Sequence, residues 1–454
     1  MCADRPVSAA PGSGHRDGGR AGTGPFEKEQ FDKGHFNKGL VDKGLVDKGL
    51  PEIGNSLLDG VSLPAAVVFE APLAHNLAWM QRFANDHGAK LAPHGKTTMT
   101  PALFRRQLDA GAWGITLATA AQCRAACVHG GVSRLLLANQ LVGEANMAII
   151  ADLLEAGADI TCVVDSLANV SELGRYFGAR ELRLKVLIEL GVPGGRCGCR
   201  DHDQVMALGE AIDAEPALVL SGIEGYEGVG LGDNPEASVR GYAWQLVEVA
   251  QALDHDRLIE AQHPLITASG SAWYDLIAGV FREAHLGAHF VPVLRPGCYV
   301  VHDHGLYRDA QRDIRRRRPE LANGLLPALE VFAQVQSLPE PGLAIVAMGR
   351  RDAGGDRLPE PLRRYREGGC ASRPLSVEGW EVVKLMDQHA FVRLPRSDHL
   401  DEARAESSEG ARDVRVGDIV AFGVSHPCLT FDKWRQVLLA NAELDVVDVM
   451  PTWF

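Results

Sequence analysis

From about residue 64 the chain alternates between short apolar runs and longer amphipathic stretches. The runs are AAVVFE, AKLAPHGK, GITLAT, RLLLAN, ITCVVD, LRLKVLIEL, LVLSGIEGY, LITASG and VPVLRPGCYVV. Between most of them lie helix-like stretches such as APLAHNLAWMQRFANDHG, MTPALFRRQLDAGA and EASVRGYAWQLVEVAQALD. Strand alternating with helix predicts a parallel sheet joined by helical crossovers. About eight such units over roughly 240 residues suit a closed (β/α)8 barrel better than an open sheet.

The rhythm changes after about residue 312. RRRRPE reads as a charged connector. ALEVFAQVQSLP, LAIVAMG, VEGWEVVKLMDQHAFVRLP and residues 416–454 are alternating and β-branched, with Gly and Pro turns. They predict a second, mostly antiparallel β domain. At the other end, residues 1–25 are rich in Gly, Ser, Pro and charge, and read as disordered. A five-residue repeat follows (FEKEQ, FDKGH, FNKGL, VDKGL, VDKGL), too short for a solenoid unit and read as a duplicated linker without chemistry. The expected organisation is therefore a tail over 1–54, a barrel over 55–311 and a β domain over 312–454.

Composition excludes more than it selects. Of 454 residues, 46% are apolar and 23% charged, as in ordinary globular proteins. The net charge of −13 argues against a general nucleic-acid or anionic-membrane binder. No apolar run reaches the length of a membrane helix, and the N-terminus lacks a signal core. Nine scattered cysteines predict reduced thiols and a cytoplasmic protein.

The stretch LAPHGKTTMTP contains Gly-Lys-Thr, the end of a phosphate-binding P-loop. Five positions before Gly95 stands Lys90 where that loop needs glycine, and Pro93 removes an N–H from the cradle. The barrel offers another reading: Lys96 ends a strand, where barrels place their chemistry, and desolvation there makes an amine nucleophilic. TASGSAW supplies Ser269, Gly270 and Ser271, and LRPGCYVVHDHG supplies Arg295 and the N–H groups after Gly297. Each Gly/Ser loop alone is an ordinary turn. With a strand-end lysine they sketch a site for a phosphorylated aldehyde cofactor.

In the β domain, SHPCLTFDKW gives His426 and Cys428 around Pro427, which bends the chain so that both side chains can reach one ion. Imidazole with thiolate suits Zn²⁺, and two protein ligands leave positions open for water and substrate. Read alone, the pair is more readily a surface histidine and a small buried cysteine than a metal site. Cys197 and Cys199 read as incidental, and Cys123 and Cys127 as one helical face of core residues. The arginine runs RRRRPE and PLRRYREGG read as solvated faces. Asp303 and His304 are polar residues near the barrel mouth without a role.

APHGKT, GITLATAAQC, IELGVPGGRCG, GIEGYEG, ITASGSAWYD, LRPGCYVVHD and GVSHPCLTFDKW occur in the order found in pyridoxal-phosphate enzymes of the alanine racemase barrel type. Over about residues 60–454 the chain resembles their D-serine dehydratase/D-threonine aldolase branch. The resemblance implies that Lys96 carries pyridoxal 5'-phosphate and that Ser269, Gly270, Ser271, Gly297 and Cys298 surround its phosphate. It implies that Arg196 and Tyr226 border the ring or substrate, with Arg295 by the pyridine nitrogen. It makes His426 and Cys428 ligands of Zn²⁺ or another divalent metal, with His389 a candidate nearby, and the cysteine favours dehydratases over aldolases. The implied function is conversion of a D-serine-like β-hydroxy D-amino acid to a 2-oxo acid and ammonia, in a homodimer. The alternative is a metal-dependent aldolase giving glycine and an aldehyde; a racemase or a non-catalytic cofactor-binding protein is further off. Gly95 departs from the relatives, which usually carry a larger residue there.

Overall fold

The computed structural model describes residues 51–228, 232–371, 373–395 and 413–454; the tail and its five-residue repeats lie outside them. Eight strands form one parallel sheet: β2 (Lys90–Leu91), β3 (Ile115–Leu117), β4 (Arg134–Gln140), β5 (Asp159–Val164), β6 (Leu184–Leu190), β7 (Leu218–Gly225), β8 (Leu265–Ala268) and β9 (Val291–Leu294). Their order is β2-β9-β8-β7-β6-β5-β4-β3. The end strands meet through Trp113 N–H to Leu91 C=O at 2.7 Å and Thr116 N–H to Pro93 C=O at 2.8 Å. The sheet is thus curled into the expected barrel.

These strands are buried on both faces, which is why they read as near-continuous apolar runs. The two faces still alternate. Leu135 and Leu137 pack outward in the main core, whereas Leu136 packs inward with Ala92, Val163, Leu187, Leu265 and Val293. That inner layer fills the barrel floor and leaves the strand ends free to carry side chains. Local caps set where the crossover helices begin. Ser166 Oγ accepts the N–H of Asn169, and Asp201 Oδ1 that of Gln204 at 2.9 Å.

The second sheet contains β10 (Leu329–Glu340), β11 (Leu343–Val346), β12 (Glu360–Tyr365), β13 (Glu381–Leu385), β14 (Ala390–Arg393), β15 (Ile419–Gly423), β16 (Gln436–Ala440) and β17 (Val446–Pro451). It is antiparallel except at one place. The first apolar run of the rhythm, AAVVF, is β1 (Ala65–Phe69), and it joins this sheet instead of the barrel. It runs antiparallel to β10 and parallel to β16. Periodicity cannot distinguish the two destinations, because a strand central to either sheet is apolar on both sides.

The arginine runs are not solvated faces throughout. Arg317 is largely buried and grips Asp275 with two hydrogen bonds of 2.7 and 2.6 Å. Arg364 is fully buried against Asp418, which also binds Arg366. Each buried guanidinium is matched by a buried carboxylate distant in sequence, which local charge patterning cannot reveal. No helix among the described residues is long and apolar enough to cross a membrane.

Candidate active site

Lys96 lies in a single 3-10 turn, Gly95–Thr97, directly after β2. It lines an open-mouthed cavity of about 160 Å³. Burial lowers the pKa of Lys96; the positive charges of Arg196 and Arg295 act in the same direction, against the thiols of Cys428 and Cys298. Gly95 does not face this cavity. A Cβ on it would come within 2.8 Å of Ile115 and Phe104 and 3.0 Å of Leu117. Its smallness therefore lets the lysine turn lie on the barrel wall and does not widen the pocket.

Around the same cavity stand Arg196, Tyr226, Ser269, Gly270, Ser271, Arg295, Gly297, Cys298 and Cys428. The Arg196 guanidinium stacks over the Tyr226 ring, 4.7 Å from its centre. Arg295 is buried, pairs with Glu224 and donates to Gly225 C=O at 2.8 Å. Ser271 Oγ accepts the N–H groups of Gly297 and Cys298 at 3.1 and 2.9 Å, tying two strand-end loops together. The N–H groups of Ser269 and Gly270 point at the buried carboxylate of Glu227, at 3.1 and 2.6 Å.

His426 and Cys428 reach this region from the β domain. Thr97 Oγ1 is 3.4 Å from Cys428 Sγ, so the β-domain turn rests on the lysine turn. His426 has a left-handed backbone, φ 58°, and its ring Nδ1 lies 2.5 Å from Asp356. Hydrogen bonding with Cys428, and then with Asp356, raises the His426 pKa against the effect of burial. The hydrogen bond with Cys298 is the largest influence lowering the Cys428 pKa; burial opposes it and His426 assists. Among the described residues no group of three or more His, Cys, Asp or Glu side chains forms a metal cluster.

Residues 70–301 match the model of the alanine racemase N-terminal domain, about half the chain. The chain belongs to that family. Residues 328–440 match a putative serine dehydratase domain. A D-threonine aldolase from Arthrobacter sp is 28% identical over 334 residues, covering 74% of this chain and 80% of the relative. A D-threo-3-hydroxyaspartate dehydratase from Delftia sp. (strain HT23) is 27% identical over 177 residues, covering 38% of this chain and 46% of the relative. Among solved structures, a D-threonine aldolase from Filomicrobium marinum superposes with a TM-score of 0.71 at 21% identity, covering 88% of this chain and 97% of that one. The fold is the type III pyridoxal-phosphate fold, and this family member is a pyridoxal-phosphate-dependent lyase.

The cavity fits that cofactor. His94 Nδ1 and Arg295 Nε are buried without a hydrogen-bond partner, and both residues line the cavity. Such orphaned groups suit a polar ring ligand. Gly297 brings backbone close: a Cβ there would press on Thr97 Oγ1 and on His94 C=O at 2.8 Å. The donor chemistry of His426 and Cys428 also fits a soft divalent metal, because Asp356 takes Nδ1 and leaves Nε2 as the ring nitrogen for an ion.

The structure therefore gathers the sequence-predicted residues at one cavity, with His426 at its edge. His389 does not join them; it is exposed in the turn between β13 and β14. Sequence reading missed His94, Thr97, Asn139, Glu224, Glu227 and Tyr307. His94 and Thr97 flank the lysine in the quoted motif and could have been found there. Tyr307, near the start of a helix, carries no local signal.

Proposed function

We propose that this lyase is a pyridoxal-phosphate- and zinc-dependent dehydratase of D-serine-like β-hydroxy D-amino acids, releasing a 2-oxo acid and ammonia. The observation that carries the reading is that Lys96 and Cys428 face one cavity. A base for the Cα proton and a metal-binding pair for the β-hydroxyl thus serve the same small molecule.

Lys96 would hold the cofactor, which supplies an electron sink that acidifies Cα–H. Once displaced by substrate, Lys96 Nζ takes that proton; burial and the nearby arginines favour the neutral amine it needs. Arg196, stacked on Tyr226, offers a cation to the substrate carboxylate. His426 and Cys428 would hold Zn²⁺, which supplies Lewis acidity at the departing hydroxyl. Asp356 fixes the His426 ring for this role. A solved variant of the D-threo-3-hydroxyaspartate dehydratase, in which a cysteine is replaced by alanine, is described as metal-free, which supports a thiolate-held metal in this fold.

The aldolase reading draws on the longer match to D-threonine aldolase and on the 3-hydroxy-D-aspartate aldolase of Paracoccus denitrificans, 24% identical over 294 residues. Incubation with D-threonine decides between them. Dehydration yields 2-oxobutanoate and ammonia; retro-aldol cleavage yields glycine and acetaldehyde and would overturn the proposal. Chelation should stop ammonia release while leaving the cofactor's absorbance band in place.

A further inference from the structure

Cys298 and Cys428 meet across the boundary between barrel and β domain. Their sulfurs are 3.6 Å apart although 130 positions separate them in sequence. Both are free thiols. Cys298 opens the turn Cys298–Val300 after β9, where its N–H is held by Ser271 Oγ. Cys428 opens the short helix Cys428–Phe431 after the His426 turn. Thr97 Oγ1 lies beside both sulfurs, at 3.9 and 3.4 Å. Each sulfur is thus held by its own backbone anchor. A disulfide requires about 2.05 Å between sulfurs, so the two must close by roughly 1.5 Å. Both residues line the open-mouthed cavity, which gives a small oxidant access.

We propose that Cys298 and Cys428 form an oxidative modification site: hydrogen peroxide converts them to an interdomain disulfide. The Cys428 thiolate attacks the peroxide; an S–O bond forms, the O–O bond breaks, and the departing hydroxide takes a proton to become water. Cys298 sulfur then attacks the sulfenic sulfur of Cys428. The S–S bond forms, the S–O bond breaks, and the Cys298 proton leaves with hydroxide as a second water. Two thiols are oxidised and one peroxide is reduced. The consequence for function rests on the proposed metal role of Cys428, since a disulfide sulfur no longer serves as a thiolate ligand. The cross-link itself does not depend on that role.

The test treats the holoenzyme, and in parallel metal-stripped protein, with hydrogen peroxide. Non-reduced peptides are then mapped by mass spectrometry, and released zinc is read with a chromogenic chelator. A peptide joining the Cys298 and Cys428 segments is expected in both samples, with zinc released from the holoenzyme only, and dithiothreitol reverses the cross-link. In Cys298→Ser the cross-link should vanish and Cys428 should pass on to sulfinic acid, which dithiothreitol does not reverse. Sulfinic Cys428 in the unmodified sequence without a cross-linked peptide, or a disulfide from Cys428 to another cysteine, would overturn the proposal. A cross-link formed without zinc release would leave the modification site standing and remove the metal role instead.

Discussion

Asp303 Oδ2 accepts the backbone N–H of His426 at 2.7 Å, while its Oδ1 accepts the N–H groups of Gly305, Tyr307 and Arg308 at 3.0, 2.8 and 3.3 Å. One fully buried carboxylate thus caps the helix Leu306–Arg317 and holds the turn that presents His426. Asp303→Ala should orphan these donors and cost about 2–4 kcal/mol by the usual penalties for unpaired buried groups. It should also reduce metal retention, because the left-handed His426 turn loses its anchor. Denaturant melts and metal content after dialysis check this; unchanged stability would show that the clamp is dispensable.

Lys96→Ala should abolish the bound-cofactor absorbance band and lower turnover by about 10³-fold or more, the scale of removing a positioned base. Absorbance spectra after cofactor reconstitution, with an ammonia assay, measure both. A persisting band of normal position would remove Lys96 as the attachment point.

Gly95→Val should act on stability. Its side chain would meet Ile115, Phe104 and Leu117 in the barrel wall, and overpacking of this kind costs about 1–3 kcal/mol. Urea melts should show the loss. If the variant instead changes substrate range without loss of stability, the assignment of Gly95 to the wall is wrong.

His304 links stability to acid. Burial is the main reason its pKa falls to about 4, and Arg308 is the next. The unfolded chain takes up this proton near the ordinary histidine value of about 6.5, so between about 6.5 and 4 the unfolded state binds more protons and stability falls as pH falls. The contribution is at most about 3 kcal/mol. Denaturant midpoints between pH 7.5 and 4.5 should drop less steeply in His304→Gln than in the unmodified chain; parallel curves would contradict the assignment.

Most of the barrel was legible because parallel strands and crossover helices impose distinct local patterns. The destination of β1 was not, since Ala65–Phe69 is equally apolar in either sheet. At the site, Lys96 and its glycine loops were readable because backbone approach demands small residues such as Gly297. Glu227 was not. Its carboxylate takes the N–H groups of Ser269 and Gly270 from more than 40 positions away, a contact that only the pairing of β7 with β8 creates. Arg364 misled for the same reason: the charge run is local, whereas its partner Asp418 lies 54 positions on.

The position of β1 bears on how the chain is made. Ala65–Phe69 is synthesised before every barrel strand, yet its two neighbours, β10 and β16, come from near residues 330 and 438. On a ribosome this apolar segment must wait, unpaired, through translation of the whole barrel before its slot exists. The β domain therefore matures only after the chain is almost complete. A fragment ending after the barrel would expose the strand, and one starting at the β domain would lack its central member.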